Sequence, residues 1–377
     1  MKILVLIHEF PPVGGGGGRA AQDLCHGLVE RGHEITILTA HFKGLLKDET
    51  VDGMHVLRLP SLRREAFRAD LLAMGGYILS GLWAGYRLMN NWQPDVLHVH
   101  FAVPGGALAW VLSRWRGVPY VMTVHLGDVP GGVQEKTGKW FRWVLPFTYP
   151  IWRDAKCVVA VSEYTRQLAR GHYHREIEVI PNGVDLARLR PAGIRLNEPL
   201  RIVFAGRFMA QKNPIQIVHT LAELKDLPWD CVMLGDGPLM SEVQKAVAGY
   251  DLQERFSLPG WLTPEGVLDW FDKSDILFMP SLSEGLSVVG VQALAKGLAM
   301  VVSNVGGFVD LVDDGQNGFL VDGDQPSGFS IALRQLLSQR DELQRFRAAS
   351  LQKALRFGIN QIVEQYEKIF EGFDYGV

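Results

Sequence analysis

Short, fully apolar runs of strand length alternate with longer helix-length segments along almost the whole chain. That alternation restricts the fold more than any other feature. In the first half the runs are Ile3–Ile7, Ile35–Leu38, Val96–Val99, Tyr120–Val124, Val158–Val161 and Val179–Ile180, with helix-like stretches such as Ala20–Glu30 and Gly105–Trp115 between them. Strands apolar on both faces must be covered on both faces, as in a parallel sheet sandwiched by helices. The pattern lapses over polar Asp185–Leu200, which reads as a linker, and then restarts. Strands are expected at Arg201–Ala205, Cys231–Leu234, Ile276–Met279 and Met300–Val302, and helices at Ile215–Leu224, Leu239–Ala248 and Val288–Ala295. The fold class is therefore α/β, with two tandem Rossmann-like doubly wound domains. Ligands are expected at the C-terminal strand ends, in a central cleft between the domains. The domains are drawn at 1–190 and 191–355, and the helical pattern that closes the chain leaves 356–377 as a terminal helix. A length of 377 residues suits two domains.

Charge bears on partners. The net charge is −3, so the chain is no polycation and nucleic acid is not an expected partner. Residues 1–190 carry 22 Lys/Arg against 17 Asp/Glu, a net of +5; the rest carries 16 against 24, a net of −8. A basic first half suits something anionic, such as a membrane surface, or is a solvated surface and nothing more. Leu71–Tyr86 is uncharged and follows Arg63, Arg64 and Arg68; it reads as a buried helix or as one lying on a membrane surface, and is short for a span. Lys139–Arg153 interleaves six aromatic residues with Lys139, Arg142 and Arg153, which suits either lipid headgroups or packing on a sheet. Cys25, Cys157 and Cys231 are far apart, without metal-ligand spacing; this is cytoplasmic usage, with Cys157 expected in the core. The opening Met1–His8 reads as a buried strand rather than a leader.

The loops after the strands hold the residues with chemical potential. His8-Glu9-Phe10-Pro11-Pro12 leads into Gly14–Gly18 and a helix. Such a glycine loop lets backbone N–H groups approach a phosphate, or serves as a hinge. His125 stands just past the run Val121–Val124. Arg207 and Lys212 share one loop, beside a helix start that Asn213 could cap; two cations and a helix N-terminus make a diphosphate cradle that needs no metal. Glu284 lies in the loop after Ile276–Met279, where a carboxylate can accept hydrogen bonds from sugar hydroxyls. The N–H groups of Leu286, Ser287 and Val288 follow at a helix start, and Gln292 lies one to two turns on. Asp322-Gly323-Asp324 reads as a turn rather than a metal site.

Taken together, these segments carry a resemblance. Arg31-Gly32-His33-Glu34-Ile35, Pro94–His100, Thr123-Val124-His125, Val161-Ser162-Glu163 and Ile180–Asp185 occur in order in the first half. Gly206-Arg207 with Lys212-Asn213, Gly235-Asp236-Gly237-Pro238, Ser281 with Glu284-Gly285, Gly306-Gly307 and Asn317–Val321 follow in the second. In order, spacing and coverage the chain resembles the retaining nucleotide-sugar glycosyltransferases of family 4, which have the GT-B fold. The resemblance implies transfer of a glycosyl group from a nucleoside-diphosphate sugar to a glycan or lipid-linked acceptor hydroxyl, with no metal and no other cofactor. It implies His125 close to the reacting sugar and Glu284 on the donor-sugar hydroxyls. Gly15, Gly16, Arg207 and Lys212 would lie at the diphosphate, with Gly285, Leu286 and Ser287 also binding donor. The family's second Glu, which holds the ribose, is here Gln292. A Gln offers one acceptor and one donor where a carboxylate accepts two hydroxyls with charge assistance, so weaker donor binding is expected. The fold also implies that the final helix crosses back to the first domain. Work at the cytoplasmic face of a membrane, with peripheral contact to anionic lipid, is the accompanying expectation. Two other readings stay open: a catalytically degenerate binding or partner subunit, and a nucleotide-sugar epimerase on the same scaffold.

Overall fold

The structure, a computed structural model, describes residues 1–65, 69–133 and 141–372, without the side chain of Arg142. Arg68, Lys139 and Trp140 of the segments singled out above lie outside the described residues. Among the described residues no helix is long and apolar enough to cross a membrane. The chain divides into two units. One is Met1–Gly183 with Ile359–Val377, and the other is Val184–Gly358. These divisions fall seven residues before the sequence-based boundary at 190 and three after 355.

The first unit runs β1 (Lys2–Leu6), α1 (Gly16–Glu30), β2 (Glu34–Ala40), β3 (Asp48–Val51), β4 (Met54–Leu59), α2 (Leu71–Asn91), β5 (Val96–His100), α3 (Ala107–Arg116), β6 (Tyr120–Val124), α4 (Phe141–Asp154), β7 (Cys157–Ala160), α5 (Glu163–Arg170) and β8 (Glu178–Val179). Its sheet has the order β3-β4-β2-β1-β5-β6-β7-β8, parallel except for the β3–β4 hairpin. The period-2 geometry of a strand sends alternate side chains to opposite faces. Leu4 and Leu6 enter one core, with side chains from α2, α3 and α4; Ile3 and Val5 enter the other, against α1 and the last helix of the chain. Those side chains are fully buried, which is why β1 reads as an unbroken apolar run.

The second unit continues with α6 (Leu186–Leu189), β9 (Leu200–Ala205), α7 (Pro214–Ala222), β10 (Trp229–Leu234), α8 (Met240–Gly249), β11 (Phe256–Gly260), α9 (Pro264–Asp272), β12 (Ile276–Met279), α10 (Val288–Ala295), β13 (Ala299–Ser303), α11 (Phe308–Leu311), β14 (Gly318–Val321), α12 (Ser327–Ser338) and α13 (Arg340–Ala354). Its six strands are parallel, in the order β11-β10-β9-β12-β13-β14. Asp275, fully buried just before β12, accepts hydrogen bonds from Asn197, the Arg201 amide and the buried guanidinium of Arg347. That network ties α13 to the starts of β9 and β12.

α14 (Ile359–Glu371) returns to the first unit. Its apolar stripe of Ile362, Val363, Tyr366 and Phe370 is buried, and the methyl of Val363 seats where a Cβ of Gly27 would stand, at 2.5 Å. Several local expectations change. β3, β4, β11 and β14 went unread because they are short or interrupted by polar residues and glycine. The supposed linker holds α6, whose Asp185 caps the amides of Ala187 and Arg188. Cys157 is half-buried rather than in the core, because it opens β7 beside Glu178. The helix read as Gly105–Trp115 begins at Ala107, after a wide turn at Ala102–Gly106.

Candidate active site

In the first unit the site is built at the end of β6. The His125 amide donates to Asp128 Oδ2 at 2.8 Å, while Asp128 Oδ1 accepts from the Ala102 amide at 3.0 Å. Buried Asp128 thereby locks the turn after β6 to the turn after β5. Little in the sequence marks out Asp128, although a carboxylate a few residues past a strand end can clamp a turn through backbone amides. The His125 imidazole stacks on Phe101, with centroids 4.5 Å apart and planes 28° from parallel. Phe101 itself has a positive φ, +72°, which is uncommon for a residue other than glycine.

Only Gly14 and Gly15 of the glycine run precede the helix. Gly16, Gly17 and Gly18 form the first turn of α1, which therefore starts four residues before the expected Ala20. Gly15 is the N-cap and has open space where a Cβ would be. The close approach belongs to Gly17: a Cβ there would lie 2.8 Å from the Phe101 ring and 3.3 Å from the His125 ring. A Cβ on Gly18 would lie 2.4 Å from the Glu9 carbonyl. The structure thus brings the glycine helix start and His125 together through Gly17.

Behind His125 lie His98 and His100, both on β5 and both buried. Burial, reinforced by the neighbouring His125, pushes the His98 imidazole down to about 3. Burial and the charges of His98 and His125 hold His100 well below the usual range. His98 Nε2 meets Thr123 Oγ1 at 2.9 Å, and Thr123 meets the Tyr366 hydroxyl at 2.9 Å, so α14 is hydrogen-bonded to the strand that leads into His125.

In the second unit the expected residues follow β9 and β12, which pair directly. Arg207 sits in Gly206-Arg207-Phe208, whose backbone is braced by the turn after β10. Phe208 N donates to Asp236 O, and Cβ atoms on Gly235 or Gly237 would strike Gly206 O at 2.0 Å or Phe208 O at 2.6 Å. Those two glycines have φ of +128° and +158°, which explains the Gly-Asp-Gly pattern. Lys212 Nζ forms an ion pair with Glu284 Oε2, both side chains largely buried. Gln211 fastens the two loops, donating from Nε2 to Ser283 O at 2.9 Å and accepting from the Leu282 amide at 2.8 Å. Asn213 occupies the N-cap of α7 in the left-handed conformation, φ +50°, and its side chain does not cap; Pro214 starts the helix instead.

Glu284 and Gly285 lean on Gly306 and Gly307. A Cβ on Gly306 would stand 1.7 Å from Glu284 O, and Gly307 N donates to that same oxygen at 3.0 Å. Ser287 caps α10, its hydroxyl accepting from Gly290 N at 3.2 Å, next to buried Leu286. The first N–H groups of a helix lack partners inside it, and the dipole there favours an anion. Gln292 is half-buried one turn further, its amide making no hydrogen bond among the described residues. Two cations, one carboxylate and a helix N-terminus thus share one end of one sheet. Asp322 accepts from Asn304 at 2.8 Å in a turn after β14. A cavity of about 450 Å³, lined by Pro199, Trp229, Arg255 and Arg340, lies at the opposite, N-terminal end of β9 and β10 and holds none of these residues.

Sequence-family models match both parts of the chain: Glycosyltransferase Family 4 over residues 14–188 and Glycosyl transferases group 1 over residues 188–353. The chain is a family 4 glycosyltransferase. Glycogen synthase of Mycobacterium tuberculosis (strain H37Rv) is 27% identical over 94% of this chain and 90% of its own length. Among solved structures, sucrose-phosphate synthase from Thermosynechococcus elongatus superposes with a TM-score of 0.85 at 18% identity, over 98% of both chains. HepE of Anabaena, solved in complex with UDP and glucose, gives 0.79 at 18% identity over 99% of this chain and all of its own. The glycosyltransferase has the GT-B fold of these neighbours.

Proposed function

We propose that this glycosyltransferase transfers a hexosyl group, with retention of anomeric configuration and without a metal, from a nucleoside-diphosphate sugar to a hydroxyl of a glycan or lipid-linked acceptor. The observation that carries this reading is the Lys212–Glu284 pair beside the Arg207 loop and the α10 N-terminus. Arg207 and Lys212 supply positive charge for the leaving diphosphate, and charge-assisted contacts of this kind stabilise a transition state in which that charge develops. Glu284 holds sugar hydroxyls and keeps Lys212 in place between turnovers. The bond from the anomeric carbon to the diphosphate oxygen breaks and the bond to the acceptor oxygen forms on the same face. The acceptor proton passes to the departing diphosphate. His125, fixed by Asp128 and Phe101, takes the position beside the reacting sugar. The UDP complexes of HepE support a nucleotide donor.

Thermal unfolding with saturating UDP, GDP or ADP identifies the base. A ligand at 100 times its Kd stabilises by about 2.7 kcal/mol, and Lys212→Ala should abolish the shift. NMR of the product then reads the anomeric configuration; an inverted linkage would refute the retaining assignment. Turnover abolished by a chelator would refute metal independence. A second reading, a nucleotide-binding partner subunit without transferase activity, is favoured by Gln292 alone. It predicts a nucleotide shift with no product from any donor.

A further inference from the structure

The α2–α3–α4 layer carries a set of large exposed apolar side chains. On α2, Leu72, Leu79, Trp83 and Tyr86 are spaced by seven, four and three residues, which places them in one stripe. All four are exposed, Leu79 at 72% and Trp83 at 68%. The opposite side of the same helix is the packed one. A Cβ on Gly81 or Gly85 would meet Leu108 or Leu112 of α3 at 2.5 and 2.6 Å, so α2 lies close against α3 and its aromatic stripe points away. Of the two readings open for this segment, burial is therefore met on one side only.

The stripe continues onto α3, and α4 of the same layer carries exposed aromatic residues of its own. Trp115 of α3 is 55% exposed and stands edge-on to Tyr86 at 6.0 Å. Trp143 and Phe147, one turn apart on α4, are 82% and 74% exposed, whereas Trp152 of the same helix is buried. Arginines are threaded through this surface. Arg87 lies over Trp83 at 5.6 Å and Arg116 over Tyr86 at 5.3 Å. The three helices contain five arginines and a single acidic residue, Asp154, in a chain whose net charge is −3. Asp154 is already paired with Arg114 and Arg153. Neither Arg87 nor Arg116 has a carboxylate partner among the described residues.

We infer that this face docks on an anionic lipid bilayer, with the Trp, Tyr and Leu side chains entering the headgroup region and the arginines meeting lipid phosphates. Amphipathic aromatic rings settle at the membrane–water interface, and juxtamembrane arginines are attracted by anionic lipid. A second copy of the chain fits less well, because a twofold contact through this patch would set arginine against arginine. The inference rests on the surface and is independent of the proposed transfer reaction.

The test is flotation of the full chain with vesicles of phosphatidylcholine alone and of phosphatidylcholine mixed with phosphatidylglycerol. Flotation is expected with the anionic vesicles and is expected to fall as salt rises. Arg87→Glu with Arg116→Glu should lower the partition by at least about fivefold per arginine. Trp83→Ser with Trp115→Ser should lower it at both low and high salt. Each variant keeps the nucleotide-induced thermal shift of the parent, since none of these residues belongs to the site. Equal flotation with neutral and anionic vesicles, none with either, or full flotation of the Arg87/Arg116 variant would overturn the inference. So would light scattering that shows a dimer dissolved by Trp83→Ser, which would assign the face to a second copy.

Discussion

Acid should destabilise the first unit through two specific imidazoles. His98 and His100 are buried and held neutral, with His98 down to about 3. In the unfolded chain both titrate at about 6.5. Because the folded values are depressed, the unfolded state binds more protons at every pH between the two values. The stabilisation is fully present above about 6.5 and is lost as pH falls toward the folded values. Between about pH 7.5 and 5.5 each unfolded imidazole gains most of a proton, which costs folding about 1.4 kcal/mol, or about 2.7 for the pair. That figure is insensitive to how far below 5.5 the folded values lie. The assay is urea unfolding at the two pH values, followed by tryptophan fluorescence. Seven of the ten tryptophans precede residue 184, so the signal weights the first unit. The double variant His98→Gln, His100→Gln is measured alongside. Its absolute stability is irrelevant, since the quantity read is the change with pH, which should shrink by about 2.7 kcal/mol. If parent and variant lose the same stability on acidification, these histidines are not buried neutral and the packing behind His125 is wrong.

Other consequences follow from single contacts. Gly17→Ala puts a Cβ 2.8 Å from Phe101 and 3.3 Å from His125, so it should cost about 1–3 kcal/mol and lower kcat by up to about a hundredfold through displacement of the imidazole. Gly15→Ala meets nothing within 4 Å and should change urea stability by less than about 0.5 kcal/mol; equal damage from both would mean that the glycines do not act through His125. Gln292→Glu should tighten nucleotide binding by about 1 kcal/mol, roughly fivefold by calorimetry, because a charge-assisted hydrogen bond replaces a neutral one; an unchanged Kd removes Gln292 from the ribose. Asp275→Ala strands the buried Arg347 guanidinium and should cost the second unit about 3–5 kcal/mol in denaturant, while a loss under 1 kcal/mol would show that the network is dispensable.

The position of most site residues was legible because a strand end is a local event. His125, Arg207, Lys212 and Glu284 each stand within several residues of an apolar run, and in each parallel sheet the strand ends gather on one side of that sheet. Their supports were not legible. Asp128, Gln211, Gly235, Gly237, Gly306 and Gly307 act on segments well removed in the chain or across a turn, and a glycine does not announce what its missing Cβ makes room for.

The sequence by itself determined the alternation of strand and helix, the two-part organisation and the family. Backbone periodicity and turn chemistry operate over a few residues and are written directly in side-chain order. Only the tertiary structure decided that Gly17 meets His125, that α14 packs on the first unit through Val363 and Gly27, and that the apolar length of α2 is half core and half surface. Those outcomes depend on which distant surfaces fit together closely enough to exclude water, and close packing is a property of pairs of segments rather than of any one of them.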